Sequence, residues 1–86
     1  MDAHDFKQLP ILEQWEYFWD NCDKPFDSWK GDDKNYYLYV DRENKDLYLE
    51  LWMEHDPNGE RGINALTESE IVRYMVPHEK AELPWV

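Results

Sequence analysis

Apolar residues recur at helical spacing in residues 11–22. Positions i, i+4, i+7, i+8 and i+11 are apolar there, which is the pattern of one helical face. The members of this stripe are Ile11, Leu12, Trp15, Phe18, Trp19 and Cys22. Pro10 suits the first turn, because the N–H that proline lacks has no helical partner there. We therefore predict a helix over residues 11–22 with its apolar stripe turned to the core.

The middle of the chain has the pattern of β-strands. Residues 36–40 are rich in side chains that favour strands, and the polar run 41–46 predicts a turn. Over residues 47–54, apolar side chains alternate with a mixed set, which indicates a strand with one face in the core. The predicted core face is Leu47, Leu49, Leu51 and Met53, and the other face is Tyr48, Glu50, Trp52 and Glu54.

Proline and glycine delimit the segments around these strands. Residues 23–35 are polar and contain Pro25 and Gly31, which predicts a connection in which Phe26 and Trp29 form one short helical turn. Residues 56–59 have Pro followed by Asn-Gly, which predicts a tight turn. A third, shorter strand is expected over residues 62–66.

The C-terminal part carries a helix signal. Thr67 and Glu70 have the spacing of a capping box, so a short helix is expected there and should end at Pro77. Trp85 is a candidate to fold back onto the core. Residues 1–86 are therefore predicted to form a single acidic α+β domain. It would consist of an N-terminal helix, an antiparallel β-meander of two to three strands and a short C-terminal helix.

The net charge excludes several classes of ligand. Twenty Asp and Glu stand against nine Lys and Arg, a formal charge of −11 in 86 residues. Nucleic-acid phosphates require a basic surface, so we predict no direct nucleic-acid binding. An anionic membrane repels the chain for the same reason. Because 42% of residues are hydrophobic and 16% aromatic, the composition is that of a folded chain.

Cysteine usage and the first residues indicate the compartment. Cys22 is the single cysteine, so no intramolecular disulfide can form, which fits a reducing environment. The first ten residues lack the basic start and apolar run of a signal peptide. The sequence therefore predicts a cytoplasmic protein that does not span a membrane.

The sequence contains little that indicates a catalytic or metal-binding site. The three His are scattered, and no nucleophile-elbow, zinc-protease or P-loop spacing occurs. Cys22 lies on the apolar helix stripe and is better explained as a small buried hydrophobe than as a nucleophile. Residues 56–60 have the alternate spacing of a calcium loop, but Arg61 and Thr67 stand where that loop requires Gly and Glu. We predict no enzymatic activity, no metal and no cofactor.

Acidic residues form a continuous series in the first part of the chain. The series is Glu13, Glu16, Asp20, Asp23, Asp27, Asp32 and Asp33. Most such series are solvated faces, but these usually contain Lys as well, whereas residues 8–23 contain no Lys or Arg. Residues 1–33 carry a net charge of −6, with nine acids against three Lys. One-sided charge lowers stability, and it also steers fast docking onto a basic surface.

An aromatic sheet face is the second candidate surface. Tyr37, Tyr39, Tyr48 and Trp52 are expected to share it with Glu50 and Glu54. Tyr and Trp are favoured anchors at protein interfaces. The alternative is that a helix covers this face and makes it a second core layer.

These features predict a small acidic inhibitor or immunity-type protein, of a kind common among phage and mobile elements. It would block a basic partner such as a nuclease, a toxin or a defence complex, and carboxylates presented in place of phosphates are one way to do so. The predicted contact residues are Glu13, Glu16, Asp20, Asp23, Asp27, Asp32 and Asp33, with Tyr37, Tyr39 and Trp52 as anchors. The alternative is a non-enzymatic module that self-associates through the aromatic face, and a homodimer fits either hypothesis.

Overall fold

A computed structural model describes residues 1–82, in which helices pack on both faces of an antiparallel sheet. The elements are α1 (Ala3–Gln8), α2 (Ile11–Asn21), β1 (Asp27–Lys30), β2 (Lys34–Val40), β3 (Tyr48–Glu54), β4 (Arg61–Leu66), α3 (Glu68–Ile71) and a 3-10 turn (Val72–Tyr74). The strands lie in the order β1-β2-β3-β4. The predicted α+β class is confirmed, with four strands rather than two to three. The predicted contact of Trp85 lies outside the described residues.

The two N-terminal helices meet at a short bend. Helix α2 follows Pro10 as predicted, and the Gln14 side chain donates a hydrogen bond to the Leu9 carbonyl at 3.0 Å. Helix α1 is an additional helix that the apolar pattern did not predict. Asp2 caps it by accepting a hydrogen bond from the Asp5 N–H at 2.8 Å, which satisfies a donor that the first turn leaves open.

The C-terminal helix begins where the capping box predicts. Thr67 is the N-cap of α3, and its N–H donates a hydrogen bond to the Glu70 carboxylate at 3.1 Å. The helix is shorter than predicted, because the chain tightens into the 3-10 turn after one turn of α-helix. Among residues 1–82, no helix has the length and apolar character needed to cross a membrane.

Strand β1 lies where the sequence predicts a connection with a helical turn. That prediction is wrong over Asp27–Lys30, which pair along their whole length with β2. The buried Ser28 hydroxyl accepts a hydrogen bond from the Ala81 N–H at 2.9 Å and donates one to the Ala81 carbonyl at 3.0 Å. Gly31 allows the tight return into β2, because a Cβ there would lie 2.8 Å from a β2 carbonyl oxygen. Partners distant in sequence therefore stabilise this strand.

One face of the sheet carries the main core. Its buried side chains are Tyr37, Tyr39, Leu49, Leu51, Ile63 and Ala65, and Leu47 joins them from the preceding turn. Phe6 of α1 and Phe18 of α2 pack onto this face, and the rings of Phe18 and Tyr39 meet edge-on at 4.7 Å. The predicted core residues Leu47, Leu49 and Leu51 are confirmed, and Met53 is partly buried at the edge.

The strand register shows that the face opposite the main core, the second face of the sheet, carries different residues from those predicted. Tyr37 pairs with Leu51 and Tyr39 with Leu49, so both tyrosines point into the core rather than lying beside Tyr48 and Trp52 as predicted. The β2 neighbours of Trp52 and Tyr48 are Tyr36 and Val40 instead. The prediction was off by one residue, and in a strand one residue reverses the face.

Residues 68–82, which we call the strap, cover part of this second face, and the strap then passes the β1 edge so that Ala81 joins the main core on the other face. Glu50 is only 3% exposed there, and its carboxylate accepts a hydrogen bond from the Tyr74 hydroxyl at 2.5 Å. The Arg73 guanidinium lies 3.4 Å from the same oxygen. Burial is the main cause that raises the pKa of Glu50, while Tyr74 and Arg73 oppose that rise. The aromatic face is therefore neither a fully open surface nor a second core layer, because the strap covers only part of it.

Candidate functional site

Helix α2 leaves much of its surface outside the core. Phe18 is buried, as is Cys22 just after the helix, whereas Ile11, Leu12 and Trp19 are 60%, 74% and 67% exposed. The prediction that the whole apolar stripe faces the core is wrong for these last three. The stripe spans a wider arc than the helix needs for its contact with the sheet, so only its Phe18 side is covered.

The exposed side of α2 consists of two parallel edges. Leu12 and Trp19, which we call the apolar edge, are two helical turns and about 10 Å apart along the axis. Glu13, Glu16 and Asp20, which we call the acidic edge, lie next to them around the helix, and all three are exposed as predicted. Both edges follow the 3.6-residue repeat, so hydrophobic and negative surface run side by side.

The acidic edge has no ionic partner within the described chain. The ion pairs among residues 1–82 involve other carboxylates and do not include Glu13, Glu16 or Asp20. Asp20 also lies in the last turn of α2, where the helix dipole disfavours negative charge. These three charges therefore do not contribute favourable pairing to the fold.

The next two acids of the predicted series are engaged within the molecule. Asp23 is exposed and pairs with Arg42. Asp27 is largely buried and accepts hydrogen bonds from Lys80, from His78 and from the backbone N–H of Ser28. Burial alone would raise the pKa of Asp27, but these hydrogen bonds outweigh burial and lower it. Asp27 therefore holds the strap and does not extend the acidic edge.

Asp32 and Asp33 lie at the opposite end of the sheet. They occupy the turn between β1 and β2, and the Asp33 carbonyl accepts a hydrogen bond from the His55 N–H at 3.0 Å. The end of α2 contacts the other end of β2, where Tyr17 donates to Asp41 at 2.5 Å. Seven residues of β2 separate the two ends, roughly 20 Å at strand rise. The fold thus divides the predicted acidic series into separate groups.

A groove of about 430 Å³ lies beside the apolar edge. Its lining is Phe18, Trp19, Cys22, Asp23 and Tyr39. Burial, followed by the charges of Asp41 and Asp23, raises the pKa of the Cys22 thiol to about 12, so the thiol stays neutral and is a poor nucleophile. Burial likewise raises the pKa of Tyr39 to about 12. Apart from Asp23, the groove is therefore lined by neutral and mostly apolar groups.

The predicted aromatic anchors divide into buried and accessible residues. Tyr37 and Tyr39 are 1% and 4% exposed, so as core residues they cannot act as surface anchors. Trp52 is partly buried above Gly62, and the Lys34 ammonium lies 4.5 Å from its ring centroid. Leu12 and Trp19 are exposed large apolar residues that the sequence analysis did not place at the surface. Their position at the border between the apolar stripe and the acids was the signal that could have found them.

The stretch with calcium-loop spacing forms a tight turn, as predicted. The Asp56 carboxylate accepts a hydrogen bond from the Asn58 N–H at 2.9 Å, and the Asp56 carbonyl accepts one from the Gly59 N–H at 2.8 Å. Within residues 1–82, no three His, Cys, Asp or Glu side chains come together in a group that could hold a metal ion. The oxygens of Asp56 thus serve the turn itself.

Comparison of the chain with protein-family models, with curated proteins and with solved structures found no match. The function is therefore inferred from the chemistry of the surface.

Proposed function

We propose that this protein is a small acidic inhibitor of the immunity type, which binds and blocks a basic protein. The observation that carries the proposal is the acidic edge of α2, whose Glu13, Glu16 and Asp20 are exposed and have no ionic partner among residues 1–82. The partner class is a nuclease, a toxin or a defence complex with a basic nucleic-acid site. The unpaired, buried Cys22 supports a cytoplasmic location.

The mechanism is electrostatic steering followed by occlusion. A net charge of −11 attracts a basic surface over about a Debye length. The acidic edge then presents a row of carboxylates with about one helical turn between neighbours, where the partner would otherwise bind phosphates. Because α2 is part of a folded domain, its carboxylates lose less conformational freedom on docking than those of a flexible tail.

The test begins with affinity capture from the native cell and identification of the protein that a salt gradient elutes. The triple variant Glu13→Gln, Glu16→Gln, Asp20→Asn is compared with a control, Asp32→Asn, Asp33→Asn, Glu60→Gln, which removes three exposed charges from the far end of the sheet. We expect the association rate with the captured protein to fall about ten- to a hundred-fold in the first variant at low salt. The control should change it far less.

Blocking is measured separately, as competition between the acidic protein and nucleic acid for the captured partner. The proposal requires that wild type displaces the nucleic acid and that the acidic-edge variant does so poorly. An unchanged association rate in the acidic-edge variant, or binding without competition, would contradict it.

Self-association through the second sheet face is the other candidate function. Trp29, Tyr36 and Trp52 pair in register across β1, β2 and β3, opposite Gly62 of β4, and all three rings are partly buried. Sedimentation would detect an association that strengthens with concentration, survives salt and is lost on Trp52→Ala. A monomer at high concentration excludes this candidate.

A further inference from the structure

The two edges of α2, taken with the groove, specify what docks there. We infer that the outer face of α2 binds a basic amphipathic helix of the partner protein, one apolar side chain of which enters the groove beside Trp19. This inference rests on the proposed function, because it describes the part of the basic partner that would meet the acidic edge.

The apolar edge is more than an isolated exposed side chain. Single exposed hydrophobic residues are ordinary on protein surfaces. Here Leu12 and Trp19, 74% and 67% exposed, lie on one line along the helix, and Ile11 adds a third exposed apolar group. Trp19 is also one wall of the groove of about 430 Å³. Apolar surface and concavity thus occur together, as they do at protein-binding sites.

The groove suits an apolar side chain rather than a charged one. Phe18, Tyr39 and the neutral thiol of Cys22 form most of its lining. Asp23 is the one carboxylate in the lining, and Arg42 already pairs with it. A cation entering the groove would therefore compete with an existing ion pair, whereas a hydrocarbon side chain would displace water from apolar walls.

Charge complementarity identifies the occupant as basic. The acidic edge runs parallel to the apolar edge, so a segment lying along α2 meets hydrophobic and negative surface together. A second copy of this chain, placed face to face on α2, would bring Glu13, Glu16 and Asp20 against the same three acids. An anionic membrane would be repelled by these carboxylates in the same way.

The shape of the surface favours a helix as the bound segment. Leu12 and Trp19 mark a straight line of about two helical turns. A helix that lies along it can present apolar residues at i, i+3 or i+4, and i+7, and basic residues on the flank that faces the acidic edge. Helix α2 offers its own ridges for such side-by-side packing.

Two synthetic peptides test the inference even while the partner is unidentified. One peptide of about 18 residues, or five helical turns, contains Leu and Lys with Leu at helical spacing. Its isomer has the same composition in an order without an apolar face. Calorimetric titration of wild type should show about tenfold tighter binding of the amphipathic peptide than of the isomer.

Two variants locate the site. Leu12→Ser with Trp19→Ser should abolish the preference for the amphipathic peptide. The control Val72→Ser with Met75→Ser alters two strap residues that are 50% and 73% exposed, and it should keep the preference. Circular dichroism and urea unfolding verify that both variants fold, which is expected because none of the four side chains is buried.

Several outcomes overturn the inference. It fails if wild type binds both peptides equally, if the apolar-edge variant keeps the preference, or if the control loses it equally. It also fails if wild type self-associates and the apolar-edge variant does not, since a second copy would then occupy the face. These failures leave the proposed function intact as long as the acidic-edge variant still binds the captured partner slowly. An unchanged rate in that variant contradicts the proposed function instead.

Discussion

The outer face of α2 and the strap both expose apolar residues among charged ones, yet they use charge differently. In the strap, Arg73 pairs with buried Glu50, and His78 and Lys80 pair with Asp27. On α2, the three carboxylates of the acidic edge pair with no cation among residues 1–82. The strap's charges hold it against the sheet, whereas those of α2 face outward. The acidic residues of this chain therefore occupy two different environments, one paired and one unpaired among residues 1–82.

The largest expected effect comes from removing the strap's partners for Glu50. Arg73→Met with Tyr74→Phe keeps side-chain bulk but leaves a buried carboxylate without its cation and its hydroxyl donor. We expect the free energy of unfolding in urea to fall by about 3–5 kcal/mol. If the loss were below about 1 kcal/mol, the strap's charges would contribute no more to the stability of the fold than those of α2.

Lowering the pH provides a control for this variant. The folded-state pKa of Glu50 is raised, chiefly by burial, and Tyr74 and Arg73 both act against that rise. Their removal raises the pKa further, so protonation of Glu50 relieves the cost of the buried charge. The deficit relative to wild type should therefore shrink as the pH falls through the raised pKa, and Glu50→Gln added to the variant should restore part of the stability at neutral pH.

A smaller effect is expected at Asp27, and its pH dependence lies in a more acid range, because the pKa of Asp27 is lowered whereas that of Glu50 is raised. Asp27→Asn weakens the bonds from Lys80 and His78 and should cost about 1–2 kcal/mol at neutral pH, measured by urea unfolding. Because the pKa of Asp27 is lowered in the folded protein, its contribution is fully present above its usual pKa of about 3.9 and is lost as the pH falls from there through the lowered pKa. The difference from wild type should thus diminish at acid pH. A constant difference down to about pH 2 would contradict the assigned role.

The smallest expected effect is on stability when the acidic edge is neutralised. Glu13→Gln, Glu16→Gln, Asp20→Asn should change the free energy of unfolding by no more than about 0.5 kcal/mol, and toward greater stability, because repulsion within the chain decreases. Added salt should stabilise wild type more than this variant, since it screens the same repulsion. A clear loss of stability would show that these acids support the fold, and the contrast with the strap would disappear.

Much of the fold was predictable because its signals are local. The 3.6-residue repeat located α2, the alternation of Leu47, Leu49 and Leu51 identified the core face of β3, and Thr67 with Glu70 marked the start of α3. Each signal lies within a few residues and reflects backbone geometry.

The sequence-based predictions were wrong where pairing between distant segments determines the structure. β2 has aromatic residues at 36, 37 and 39, so alternation could not show which side faces in; register with β3 placed Tyr37 and Tyr39 in the core. The sequence of β1 has only a weak strand pattern, and the strand is stabilised by pairing with β2 and by the Ser28–Ala81 hydrogen bonds. The sequence located the acids Glu13, Glu16 and Asp20 on an exposed helix face, but it did not reveal that Leu12 and Trp19 lie outside the core beside them.

Sequence alone determined the charge of −11, the helical repeat of α2 and the absence of basic residues from positions 8–23. These properties belong to the chain in any conformation or to short segments of it. Only the tertiary structure decided which carboxylates remain unpaired, because Asp27 meets Lys80 across 53 residues of sequence while Glu13, Glu16 and Asp20 meet no cation in the described chain. Pairing depends on distance in space, which the order of residues along the chain does not specify.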